Sequence, residues 1–179
     1  MSRVTLHMVS SLDGFIAKRD GDVQWMHSKD TYLKGKVLSN DFIEEFLKSI
    51  DCYVMGSKTY EDTLKLGWPY GEKPVFVITN RHLKSERNNI EFYSGDLQTL
   101  IKDKLSIKHQ NIWVAGGSKL TKSFIKADLV DEIVMTIVPI ILGDGVLFFD
   151  YVNTEKHLHL KDVTSFSDGM VEITYEIKK

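Results

Sequence analysis

Apolar and polar positions fall along the chain in short, separated runs, and each run predicts an element. Runs rich in β-branched and aromatic residues lie at Val4–Val9, Cys52–Met55, Val75–Thr79, Ile90–Tyr93, Ile112–Ala115 and Ile133–Val138, and their composition predicts strands. Helical spacing lies between them. Phe42, Ile43, Phe46, Leu47 and Ile50 stand at i, i+1, i+4, i+5 and i+8, the pattern of one buried helix face. Asp96 is placed to cap a helix carrying Leu97, Leu100, Ile101 and Leu105. Two more helices are predicted, from Ser57 through Leu64 and from Ser118 to Phe124. Strand and helix thus alternate as far as residue 138, which predicts a mostly parallel sheet with helices on both faces. The rhythm then changes. His157 to Phe166 alternates, Ser167-Asp168-Gly169 supplies a turn, and Val171, Ile173, Tyr175 and Ile177 alternate again, predicting an antiparallel hairpin at a sheet edge. The fold class is α/β, a three-layer sandwich finished by an antiparallel hairpin. No repeat, low-complexity tract or linker divides residues 1–179 into more than one domain.

Composition narrows the function classes. A chain of 179 residues suits one domain with a substantial core. Its 23 basic and 25 acidic residues give a formal charge of −2, so no basic excess supports nucleic-acid binding through phosphate neutralisation. A local site for one phosphorylated ligand needs no global charge and stays open. The single cysteine, Cys52, excludes an intrachain disulfide and reads as an inert buried thiol. Of the six histidines only His157 and His159 share a close spacing, on one face of an edge strand, so no metal site is expected. The N-terminus alternates like a strand and lacks a signal-peptide core. The longest apolar stretch, Ile133 to Leu142, is interrupted by Thr136 and Pro139 and is too short to span a bilayer. A soluble, cytoplasmic protein acting on a small molecule, with no membrane or nucleic-acid partner, is the expectation.

Two phosphate fingerprints fail. Gly56-Ser57-Lys58-Thr59 lacks the Gly-Lys pair and upstream glycine of a P-loop, and Gly143-Asp144-Gly145 lacks the third glycine of a dinucleotide turn. A different logic survives at three strand ends. Strand Tyr53–Met55 runs through Gly56 into a helix opened by Ser57, Lys58 and Thr59. Strand Trp113–Ala115 runs through Gly116 and Gly117 into a helix opened by Ser118 and Lys119. Helix N-termini offer free amides and positive dipole to an anion. The third corner, Val77-Ile78-Thr79-Asn80-Arg81, ends its strand in two small polar residues and a guanidinium. Each corner also suits an ordinary turn. Together they suit one elongated anionic ligand, such as a dinucleotide, across the ends of parallel strands. Elsewhere Lys18–Gln24 reads as a mobile loop over a site, Trp25 as a core anchor or a substrate contact, Trp68-Pro69-Tyr70 as loop packing, and Asp128, Asp131 and Glu132 as a solvated turn.

These residues carry a family resemblance. Ser11-Leu12-Asp13-Gly14-Phe15-Ile16-Ala17, Val54 to Glu61 and Ala115-Gly116-Gly117 stand in the order and spacing of the dihydrofolate reductase superfamily. The Ser-Leu-Asp-Gly element and Pro139 to Gly145 resemble the branch holding the riboflavin-biosynthesis reductase domain. The resemblance runs from Val4 to about Phe149. It implies a dihydrofolate reductase-like fold, an NADPH-dependent reductase of a small heterocyclic or ribosylamino-pyrimidine substrate, and a homodimer. By resemblance Gly56, Ser57, Lys58 and Thr59 with Thr79, Asn80 and Arg81 hold the adenosine end and its phosphates. Gly116, Gly117, Ser118 and Lys119 take the pyrophosphate, and Val9, Ile16 and Ala17 flank the nicotinamide. Lys58 and Arg81 favour NADPH over NADH, because a 2′-phosphate calls for cations. The superfamily's catalytic carboxylate lies on the helix after a tryptophan, and Asp30 follows Trp25 at a suitable distance. The segment from Asp30 to Gly56 is longer than usual, so Asp41 and Glu45 compete with it. Thr136 stands where the family has a threonine facing substrate; a hydroxyl bonded within the sheet is the other reading. Dihydrofolate reduction itself and a non-catalytic nucleotide-binding scaffold are the alternative functions.

Overall fold

A computed structural model describes residues 2–179, the side chain of Phe42 excepted. In chain order its elements are β1 (Arg3–Ser11), β2 (Phe15–Ala17), a single 3-10 turn (Gln24–Met26), α1 (Asn40–Ser49), β3 (Cys52–Gly56), α2 (Ser57–Leu66), β4 (Val75–Ile78), β5 (Ile90–Tyr93), a π-wound helix (Thr99–Leu105), β6 (Asn111–Val114), α3 (Ser118–Lys126), β7 (Glu132–Val138), β8 (Val146–Leu147), β9 (Leu158–Ser165) and β10 (Val171–Ile177). Eight strands form one sheet in the order β5-β4-β3-β6-β1-β7-β10-β9. From β5 to β7 all neighbours are parallel, and β10 is antiparallel to both β7 and β9. The three-layer α/β sandwich with a closing antiparallel hairpin is therefore the observed fold.

Burial sorts the layers. Val4, Leu6, Ile112 and Val114 point to one face, where they meet Leu100, Ile101 and Leu105 of the π-wound helix and Phe124 and Ile125 of α3. Tyr53, Met55, Val75 and Val77 point to the other and meet Ile50, Tyr60 of α2 and, half-buried, Phe46 of α1. Cys52 is fully buried, and loss of solvation pushes its thiol up to about 12, so it is inert as expected. Asp96 caps as expected, its Oδ1 accepting from the Thr99 amide at 2.9 Å.

Two expectations are corrected. The apolar stripe of α1 is buried only toward its C-terminal end: Ile43 is 39% exposed and Phe46 and Leu47 are half-buried, and a cavity bordered by Phe46 and Ser49 on the helix and by Thr5, His7 and Trp113 on the strands lies beneath it. Glu132 is not in a solvated turn. It begins β7, is buried, and receives Lys161 from β9 at 2.6 Å. The stretch from Lys18 to Gln24 carries bonds of its own, an ion pair of Lys18 with Asp22 at 2.7 Å and amides of Asp22 and Gln24 on neighbouring aspartates, and it passes Lys58, whose Nζ would lie 3.8 Å from a Cβ placed on Gly21. Phe15–Ala17 forms a small separate sheet with Val146–Leu147, a pairing the local pattern did not announce.

The sheet also defines where a ligand can lie. The β1–β6 ladder ends at Leu6 and Val114, whereas the β1–β7 ladder runs on to Ser11 and Val138. The chain leaves β1 toward β3 on one side and later crosses from β6 to β7 on the other. This reversal of strand order marks the C-terminal ends of β1 and β6 as the place where such sheets open a ligand crevice.

Candidate active site

The glycine corners predicted at two strand ends are one structure. Gly56 donates its amide to the Gly116 carbonyl at 3.0 Å, and a Cβ placed on Gly117 would lie 3.5 Å from Thr59 Oγ1. Gly56 and Gly117 are the N-caps of α2 and α3, both extended, and neither helix start has a side-chain cap. The two helix starts, which carry Ser57, Lys58, Thr59, Ser118 and Lys119, are thus joined at one corner, with no side-chain acceptor at either cap to compete for their first-turn amides. The Gly116–Gly117 peptide is cis.

The third corner carries the cation. Thr79 Oγ1 accepts the Arg81 amide at 3.0 Å and so fixes the turn. The Arg81 guanidinium makes a two-pronged pair with Glu61 of α2, at 2.6 and 3.0 Å. That pairing is the main reason the Glu61 carboxyl lies below its ordinary value. A cavity of about 160 Å³ opens beside it, lined by Thr79, Asn80 and Arg81 among others. Lys58 reaches Asp62 at 3.1 Å and is 77% exposed. Both sequence-predicted cations therefore stand at the N-terminal half of α2, each facing a carboxylate on the same helix.

The exit of β1 is clamped to the loop after β7. Ser11 Oγ donates to Asp13 Oδ1 at 2.6 Å, and the amides of Leu142 and Gly143 donate to the same carboxylate at 3.1 and 2.7 Å. The Ser11 bond is the largest cause holding Asp13 below the ordinary carboxyl range. A group depressed on folding stabilises fully above its unfolded pKa, about 3.9, and loses that contribution as pH falls through its folded value. We expect Asp13→Ala to lower Tm by about 2–4 °C at pH 7 and the difference to shrink below about pH 4. Thermal melts of parent and variant across that range check it; a gap that widens in acid would contradict the clamp.

Val9 lies half-buried on β1 in register with Thr136 of β7. Ile16 packs into the core cluster and Ala17 is half-buried beside Gly145. Thr136 is buried, and its hydroxyl donates to Glu172 of β10 at 2.9 Å. Asp30 is placed differently from a helix-borne acid. The helix after Trp25 begins only at Asn40, and Asp30 lies exposed on an irregular segment, its carboxyl against Gly169 in the β9–β10 turn. Trp25 is buried, its Nε1 donating to the Asp22 carbonyl at 3.2 Å.

Residues 2–172 match the RibD C-terminal domain family. The chain belongs to that family. A proposed riboflavin biosynthesis protein from Shewanella sp. PV-4 is 27% identical, with a TM-score of 0.84 and 99% of each chain covered. The diaminohydroxyphosphoribosylaminopyrimidine deaminase/5-amino-6-(5-phosphoribosylamino)uracil reductase of Thermotoga maritima is 20% identical, with a TM-score of 0.71, over 99% of this chain and 57% of that one. Dihydrofolate reductase from Enterococcus faecalis, complexed with NADP(H), is 18% identical, with a TM-score of 0.64, over 99% of this chain and 97% of that one. The last two share the fold. The RibD C-terminal domain chain thus has a dihydrofolate reductase-like architecture, and the neighbours named for an activity are reductases. No described helix is long and apolar enough to cross a membrane, and no group of His, Cys, Asp and Glu among the described residues could hold a metal ion.

Sequence reasoning missed two polar residues on the face carrying Thr136. Glu172 and His7 each belong to an alternating strand, and alternation alone assigns them to an outer face. The parallel pairing of β1 with β7 and the antiparallel pairing of β10 with β7 together bring them side by side.

Proposed function

We propose that this protein is an NADPH-dependent reductase of a small heterocycle of the ribosylamino-pyrimidine type. The observation that supports it best is the junction of two uncapped helix starts at Gly56 and Gly116–Gly117, with Arg81 one strand further along. A dinucleotide needs these features: amides for its pyrophosphate and a cation for an added ribose phosphate. Ser57, Lys58, Thr59, Thr79, Asn80 and Arg81 would hold the adenosine side, and Gly116, Gly117, Ser118 and Lys119 the pyrophosphate. Val9, Ile16 and Ala17 would border the nicotinamide, which supplies hydride when bound. The chain's own task is to orient the two reactants over β1 and exclude water.

Thermal shift with NADPH, NADH and no ligand tests this. At about a hundred times its dissociation constant NADPH stabilises by about 2.7 kcal/mol, which raises Tm by about 5–10 °C. Arg81→Ala should weaken NADPH about tenfold and leave NADH nearly unchanged. Should millimolar NADPH neither raise Tm nor quench tryptophan fluorescence, the reading is wrong.

A further inference from the structure

Three polar side chains meet in the middle of the sheet on the α1 face. Val9, Thr136 and Glu172 form one row across β1, β7 and β10 by register. Thr136 donates to Glu172 Oε2 at 2.9 Å, and His7 Nε2 stands 3.6 Å from the same oxygen. The imidazole is fixed between rings. It stacks on Trp113 at 4.9 Å and meets Phe46 of α1 edge-on at 4.8 Å. Its Nδ1 is buried without a hydrogen-bond partner.

The Glu172 carboxyl is held below its usual range, chiefly by His7 and against the effect of burial. It is ionised at neutral pH. Both contacts fall on Oε2, and among the described residues Oε1 has no protein partner. A carboxylate in mid-sheet, 23% exposed, is a weak device for stability, since well-packed apolar residues usually serve as well or better. Its open acceptor is what a ligand can use. The face is not sealed either: a cavity of about 200 Å³ is bordered by His7, Phe46, Trp113 and Val134 and runs toward Arg3, Asn111 and Glu132 at the strand starts, with Glu172 outside its lining on the other side of His7.

We propose that Glu172, positioned by Thr136 and His7, is the recognition carboxylate for the substrate and takes a heterocycle through an N–H donor edge such as that of an aminopyrimidine. Calling this ligand the substrate rests on the reductase reading. Two strand spacings, about 10 Å in all, separate Glu172 from Val9, where the nicotinamide would lie. A small substituted ring bound at Glu172 reaches across that distance. A phosphate group is repelled here and must sit elsewhere in the crevice.

Calorimetry with 2,4-diaminopyrimidine as probe, with and without NADPH, tests the assignment. The parent should bind the probe. Glu172→Gln should weaken it at least tenfold, and Thr136→Val, which removes only the positioning donor, by about three- to fivefold. A cooperative melt with a Tm near that of the parent, read without ligand, shows that each variant is folded. Failure of the parent to bind the probe overturns the proposal, as does undiminished binding by folded Glu172→Gln, or loss on Asp30→Asn in its place. Probe binding that depends on Glu172 in a protein that ignores NADPH would sink the reductase reading and leave the carboxylate site standing.

Discussion

Gly116→Ala is expected to abolish NADPH-induced stabilisation while leaving a folded protein. Gly116 has φ of +98°, a backbone conformation that costs an L-residue about 1–2 kcal/mol. An added Cβ would lie 3.0 Å from Met8 Sδ and 3.1 Å from its Cε. The methionine is flexible enough to yield, so the free protein should lose only about 2–8 °C in Tm. The ligand site has less room to adapt. The Gly116 carbonyl accepts the Gly56 amide, so any shift at one corner displaces the other and with it the first-turn amides of α2 and α3. Thermal shift with and without NADPH reads both effects. A variant that melts and responds like the parent contradicts the role given to this corner.

Phe124→Ala should have the opposite signature. The side chain is fully buried in the cluster formed by Leu6, Ile112, Val114 and Leu100. Removing a buried phenyl ring typically costs about 3–5 kcal/mol, or about 10 °C and more in a chain of this size. Phe124 packs beneath the sheet and has no part in the crevice, so whatever remains folded should keep its NADPH response. Scanning calorimetry of the variant reads the loss; a Tm within about 3 °C of the parent would place Phe124 outside the cooperative core.

The parts of this fold legible in the sequence were those written in local patterns. Runs such as Cys52–Met55 and Ile112–Ala115 marked parallel strands because a strand covered on both faces is apolar throughout, and the turn at Ser167-Asp168-Gly169 marked the hairpin. Gly56 and Gly116 were legible as corners, since strand, glycine and helix follow one another in the chain. That the two corners bond to each other was not, because β3 and β6 are neighbours only by topology. The α1 stripe misled for a related reason. Periodicity shows that Ile43 and Phe46 share a face, but how much sheet lies beneath that face is a tertiary fact. Glu132 looked solvated because Lys161, its partner, arrives from β9. His7 and Glu172 were the hardest case, each unremarkable in its own strand and significant only after an antiparallel register had placed Glu172 opposite Thr136.

The pair between Arg81 and Glu61 changes what selectivity at the third corner means. The guanidinium fork is already engaged by a carboxylate from α2, so a ligand arriving there enters an exchange, with no vacant charge to fill. A ribose phosphate of charge near −2 brings more charge than the single carboxylate it displaces, and it releases Glu61 to water, where an exposed carboxylate is well solvated. A plain ribose hydroxyl has nothing to offer the fork in return and leaves the ion pair closed. Preference for a phosphorylated dinucleotide would then come from the balance between two rivals for one arginine, and raising the salt concentration, which screens both, would blunt the preference more gently than it blunts either attraction alone.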